Sequence, residues 1–225
     1  MSDLKYREGH RKRLRDRFLN GDVADIPDYE VLEFILTYAI PRKDVKPLAK
    51  ELINTFGSFR NVLNASAHEL CRVSGIGQNS ALLISMFKPV CLLYMREKLE
   101  ETPFIGCKEE DFIDFLMMKF DRLVGEHMFI MFFDASGRMI ASQIYSGGLN
   151  SAVIQVRDFV SLALANKASS VIFAHNHPHG KLQFSESDIC QTHRLAQALG
   201  VFDIELYDHI LISGNKYISW RDDNN

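Results

Sequence analysis

Apolar residues in the first hundred positions recur at helical spacing. Tyr29 to Tyr38 (YEVLEFILTY) sets its apolar side chains on one helical face, and Pro27 and Pro41 bracket it. Asp44 is placed to cap a second helix, which carries Leu48, Leu52 and Ile53 and ends at Gly57. Ser66 caps a short helix holding Leu70. The turn Val73-Ser74-Gly75-Ile76-Gly77 then leads into a long apolar-periodic helix from about Asn79 to Leu99. Glu97 to Lys108 is charged, contains Pro103 and Gly106, and reads as a linker. A helix with Phe112, Phe115, Leu116 and Phe120 follows. At Met128 the period changes. Met128 to Phe133 (MFIMFF) is a continuous apolar run of buried-strand length, Ala135 to Arg138 is a turn, and Met139 to Tyr145 is a second strand. Arg157 to Ala165 is a helix, and Val171 to Ala174 is a buried strand running into His175. Glu186 to Leu199 is a helix stopped by Gly200, and Val201 to Ser213 with Lys216 to Trp220 close the chain as a hairpin. The predicted class is α+β: an all-α domain over residues 1–100, then an α/β domain with a mixed sheet over residues 101–225.

Composition adds limits. Of 225 residues, 47% are hydrophobic and 24% charged, which suits a packed globular chain and argues against wholesale disorder. The net charge of -3 excludes a uniformly basic nucleic-acid binder. The charge is uneven, with 16 Lys/Arg against 14 Asp/Glu in residues 1–103 and 10 against 15 in the remainder. The basic surplus gathers in Lys5, Arg7, Arg11, Lys12, Arg13, Arg15 and Arg17, which suits either phosphate contact or a solvated helix face. Cys71, Cys91, Cys107 and Cys190 form no C-x-x-C pair and read as reduced thiols. The N-terminal MSDLKYREGH has no apolar core of a secretory signal, and no stretch reaches the ~18 apolar residues of a membrane span. A cytoplasmic protein with no membrane partner is the expectation.

The segment Ala174-His175-Asn176-His177-Pro178-His179-Gly180 carries the candidate chemistry. Residues i and i+2 of a strand face the same side, so His175 and His177 present two imidazoles to one point. Pro178 ends the ladder and Gly180 turns the chain. Ser185 then caps a helix with Asp188 three residues on, where the positive end of the helix dipole favours an ionised carboxylate. Two His and one Asp are three ligands, the open set of a catalytic zinc site, in which one zinc ion activates a water. Hydrolysis also needs a carboxylate beside that water, and Glu126, at the entrance of the first strand, is the candidate. Each feature has a plainer reading: H-x-H as exposed strand histidines, Ser185 with Asp188 as an ordinary cap, Glu126 as a solvated strand-end charge.

His175-x-His177-Pro178, then Ser185-x-x-Asp188, closely resembles the JAMM motif of MPN-domain metalloproteases. The texts AHNHPHG, DHILISG, GEHMFIMFFD and Tyr145-Ser146-Gly147-Gly148-Leu149-Asn150 are similar to the RadC (UPF0758) branch of that superfamily. The resemblance implies a JAMM/MPN, cytidine-deaminase-like fold and hydrolysis of an amide or isopeptide bond in a peptide or protein substrate. It implies His175, His177 and Asp188 as zinc ligands and Glu126 as general acid/base. It also implies Ser185 as a hydrogen-bond donor to the oxyanion. Three positions depart from it or stay open. His179 stands where many relatives have Ser, and Gln155-Val156 where many have His-Pro or Asp-Pro. Asp208 and His209 match a common pair that is either a support for the metal ligands or purely structural.

The first half resembles the helix-hairpin-helix module that RadC proteins place before this domain. Its hairpin is Gly75, Ile76 and Gly77, whose backbone N–H groups can hold a DNA phosphate without reading sequence. Such modules also dock on proteins, and MPN surfaces often pair into homo-oligomers. A DNA-processing factor, with the zinc site a nuclease or idle, is the alternative function.

Overall fold

The computed structural model describes residues 2–21, 23–104, 109–147, 154–178 and 180–223. His179, Cys107 and most of the predicted Gly147-to-Ser151 loop lie outside them. The chain divides into two compact units, Met1–Cys91 and Leu92–Asn225. Among the described residues, Cys71, Cys91 and Cys190 are free thiols, and no helix is long and apolar enough to cross a membrane.

The first unit is helical: α1 (Ser2–Asn20), α2 (Asp28–Ala39), α3 (Lys46–Phe56), α4 (Phe59–Asn64), α5 (Ala67–Leu70) and α6 (Gln78–Ser85). Leu32, Leu36, Leu52, Val62, Leu70, Ala81 and Ile84 form its core. Ser66 makes the predicted cap, reciprocated by Glu69. The cap of α3 sits one residue beyond Asp44, at Val45, while the Asp44 carboxylate accepts from Lys46 N at 3.0 Å. The expected long helix from Asn79 is broken at Met86, between α6 and α7 (Phe87–Glu101). Pro89 gives the reason. It lacks an N–H, and its ring clashes with the carbonyl four residues earlier, at Ser85, where α6 stops.

The division between the units falls earlier than the boundary expected after residue 100. Leu92, Met95 and Leu99 of α7 pack in the core of the second unit, so the charged stretch from Glu97 begins inside a helix. The second unit continues with α8 (Glu109–Phe120), β1 (His127–Phe133), β2 (Met139–Ser146), α9 (Val156–Ala165), β3 (Ser170–Asn176), α10 (Glu186–Gly200), β4 (Glu205–Ser213), β5 (Lys216–Ser219) and α11 (Trp220–Asp223). The strands form one mixed sheet in the order β2-β1-β3-β4-β5, parallel only between β3 and β4. Helix α8 covers one face, over Phe129, Met131, Phe133 and Ile172. Helices α9 and α10 cover the other, over Met128, Ile130, Phe132 and Phe173. Burial on both faces explains why β1 and β3 are unbroken apolar runs rather than alternating ones. Helix α10 ends with Gly200 as its last residue, and the chain turns at Asp203, with φ 56°.

Candidate metal centre

His175 lies one residue before the end of β3, a central strand, on the face covered by α10. His177 follows just past the strand end, and its backbone N–H donates to the Ile212 carbonyl at 2.8 Å, which prolongs the alignment with β4. The strand periodicity therefore carries over, and the two Nε2 atoms lie 3.1 Å apart. Gly180 makes the turn after Pro178 possible by close approach: a Cβ there would sit 2.9 Å from His177 Cβ.

Asp188 comes to the same point from the first turn of α10. The predicted capping box is present. Ser185 Oγ accepts from Asp188 N at 3.1 Å, and Asp188 Oδ2 accepts from Ser185 N at 2.8 Å and from Ser185 Oγ at 2.7 Å. That box holds the buried carboxylate with Oδ2 3.7 Å from His175 Nε2 and 3.8 Å from His177 Nε2. The edges of a tetrahedron of ligands around zinc, at Zn–N of about 2.0–2.1 Å, are about 3.3–3.4 Å. The observed triangle brackets that length.

The donor chemistry fits a cation as well. His177 Nδ1 is 3.2 Å from the Lys181 carbonyl, which only accepts, so Nδ1 carries a hydrogen and Nε2 is the nitrogen turned toward His175 and Asp188. Two imidazole Nε2 atoms and a carboxylate oxygen, the Oδ2 that also accepts from Ser185 N and Oγ, thus face one another. Burial lowers the pKa of His175 to about 4, against the pull of Asp188 and with the push of His177. The ring is thereby neutral near pH 7, as a metal ligand must be. His175 and Asp188 are almost fully enclosed, whereas the His177 side chain is 16% exposed, so the point is reached from the His177 side.

Glu126 is exposed and is not one of the clustered ligands. The register pairs Met128 with His175, and continued by two residues it brings Glu126 level with His177. Asn176, which the sequence reading passed over, anchors that segment. Its Oδ1 accepts from His127 N at 2.7 Å and its Nδ2 donates to the Gly125 carbonyl at 3.2 Å, so both neighbours of Glu126 are tied to β3. The Glu126 carbonyl accepts from Gly147 N at 2.6 Å. Asn176→Ala would leave two backbone groups without their partner. It is expected to lower the unfolding free energy by about 1–3 kcal/mol, read from the urea midpoint. An unchanged midpoint would mean that water replaces the amide there.

Asp208 is structural. It accepts from His209 N at 2.7 Å, Arg221 N at 3.0 Å and Ser219 Oγ at 2.7 Å, and burial raises its pKa against those bonds. His209 is different, since its Nε2 lies 2.7 Å from His175 Nδ1. The strand period could have shown it: two residues from Leu211, which pairs with His175, it shares the inward face.

In the first unit, the basic run is partly spent internally. Arg11 donates to the carbonyls of Pro41, Ile40 and Lys43, and Arg17 pairs with Glu30. Gly75 takes φ 95°, and Gly77 starts α6 with open space around its Cα. Ile76 is a core residue, which leaves only its backbone for a ligand.

A mixed sheet between helices, with two histidines at a strand end and an aspartate in the first turn of the next helix, defines a domain of the JAMM/MPN class. The family model for a RadC-like JAB domain matches residues 107–225, and that for the UPF0758 N-terminal region matches residues 9–82. UPF0758 proteins of Fusobacterium nucleatum and Ruegeria pomeroyi are 32% and 33% identical to the chain, over 97% and 96% of its length and the same shares of theirs. One from Rhodobacter capsulatus is 32% identical over 92% of this chain and 97% of its own. The chain belongs to the RadC-like UPF0758 family.

Proposed function

We propose that the second unit is a zinc-dependent hydrolase of amide or isopeptide bonds, acting on a peptide or protein. One observation carries this reading: three potential ligand atoms from two histidines and a carboxylate converge with spacings of 3.1, 3.7 and 3.8 Å. Zinc held by His175, His177 and Asp188 supplies a Lewis acid and lowers the pKa of water toward about 7. Glu126 takes a proton from the attacking water as its oxygen bonds to the carbonyl carbon. It returns that proton to the nitrogen as the C–N bond breaks. Ser185 Oγ already donates to Asp188, so donation to an oxyanion requires the hydroxyl to turn from the carboxylate. The first unit is proposed as a helix-hairpin-helix docking module for DNA or protein, supported by the open turn at Gly77.

The test is elemental analysis of the purified protein beside His177→Ala. Near one zinc per chain, lost in the variant, supports the site and opens a screen of peptide, isopeptide and phosphodiester substrates. A wild type that is empty and refuses added zinc removes the hydrolase reading. Turnover of the phosphodiester alone would replace it with the nuclease.

A further inference from the structure

Behind the proposed ligands runs a buried chain of hydrogen bonds. Thr192 Oγ1 lies 2.6 Å from the Asp188 main-chain carbonyl and 2.7 Å from His209 Nδ1. His209 Nε2 lies 2.7 Å from His175 Nδ1. Thr192 and His209 are fully buried, and the His209 ring is stacked on Phe173 at 4.0 Å and touches Phe184 at 4.6 Å.

The hydrogens along this chain can be counted. A carbonyl oxygen and a hydroxyl oxygen 2.6 Å apart need a hydrogen between them, and only Thr192 has one to give. Its oxygen therefore accepts from His209, which places the His209 hydrogen on Nδ1. His209 Nε2 is then bare and accepts from His175 Nδ1–H. The His175 hydrogen is thus held on the side away from the ligand cluster, and its Nε2 is bare. The opposite order would put a hydrogen on His175 Nε2, where the cation binds. A doubly protonated His209 would place a full charge between two phenyl rings.

We propose that Thr192 and His209 are positioning residues that lock His175 in its Nδ1–H form, ready to ligate without a tautomer change. Helix α10 thereby supplies one ligand directly, through Asp188, and fixes the state of a second from the next turn. The inference rests on the assignment of His175 as a ligand in the proposed function.

The test compares Thr192→Val with Thr192→Ser. Valine has the shape of threonine but cannot accept from His209; serine keeps the hydroxyl. Zinc affinity, measured by competition with a chromogenic chelator, is expected to fall about ten- to a hundredfold in Thr192→Val and to stay within about threefold of wild type in Thr192→Ser. Equal affinity in the valine variant and wild type would overturn the proposal. Nitrogen-15 NMR of the metal-free wild type supplies a second readout that needs no variant to fold. His175 is expected with the hydrogen on Nδ1, and a hydrogen on Nε2 overturns the inference. Because this spectrum requires no metal, it decides the tautomer separately from zinc binding: a hydrogen on Nε2 in a protein that binds zinc overturns this inference alone, and a protein that binds no zinc overturns the proposed function on which it rests.

Discussion

Glu126→Gln is expected to bind zinc like the wild type and to hydrolyse its substrate about 10²–10⁴-fold more slowly. The carboxylate is not among the ligand atoms, and its segment is held by main-chain and Asn176 contacts that glutamine leaves alone. Glutamine has nearly the same shape, but its amide oxygen cannot carry a proton from water to a leaving nitrogen. The effect should therefore fall on kcat with metal content unchanged. Zinc-content analysis beside a rate measurement separates the two. A variant that keeps its rate would take the proton-transfer role from Glu126. One that loses zinc as well would make Glu126 a ligand or a structural support.

The second large effect is expected at Asp188, whose carboxylate caps α10 and is the proposed third ligand. Asp188→Ala should lose the bound zinc, since two imidazoles are left. In wild type, zinc at a hundred times its Kd should raise the unfolding free energy by about 2.7 kcal/mol; in the variant it should raise it little. Alanine also removes the acceptor for Ser185 N and Oγ, and loss of such a cap costs about 0.5–2 kcal/mol in the metal-free protein. Asp188→Asn divides the two roles. Its amide oxygen still accepts from Ser185, so metal-free stability should stay near wild type while zinc binding fails for want of an anionic ligand. Denaturant titrations of the three proteins, with and without zinc, provide the comparison. Full zinc occupancy in Asp188→Ala would dismiss Asp188 as a ligand.

The features legible in the chain were local ones. The two-residue strand period aligned His175 with His177, the Ser-x-x-Asp relation marked the start of α10, and apolar periodicity located nearly every helix and strand of the sheet domain. Such rules hold because they depend on neighbours a few residues away in the chain. Even here a local rule was missed, since Pro89 in the middle of an apolar-periodic run breaks the helix at Met86.

Tertiary structure decided the rest. Glu126 is 49 residues from His175 in sequence, and only the antiparallel register of β1 on β3 sets it level with the ligands. Asn176 alternates away from the face of His175 and His177, so its position suggested no role until the Gly125–His127 segment was seen against it. His209 and Thr192 meet His175 because parallel pairing of β3 with β4, and the seating of α10 over both, bring three distant segments to one buried point. Register, pairing and the tautomers they impose arise from long-range packing, and no short-range spacing encodes them.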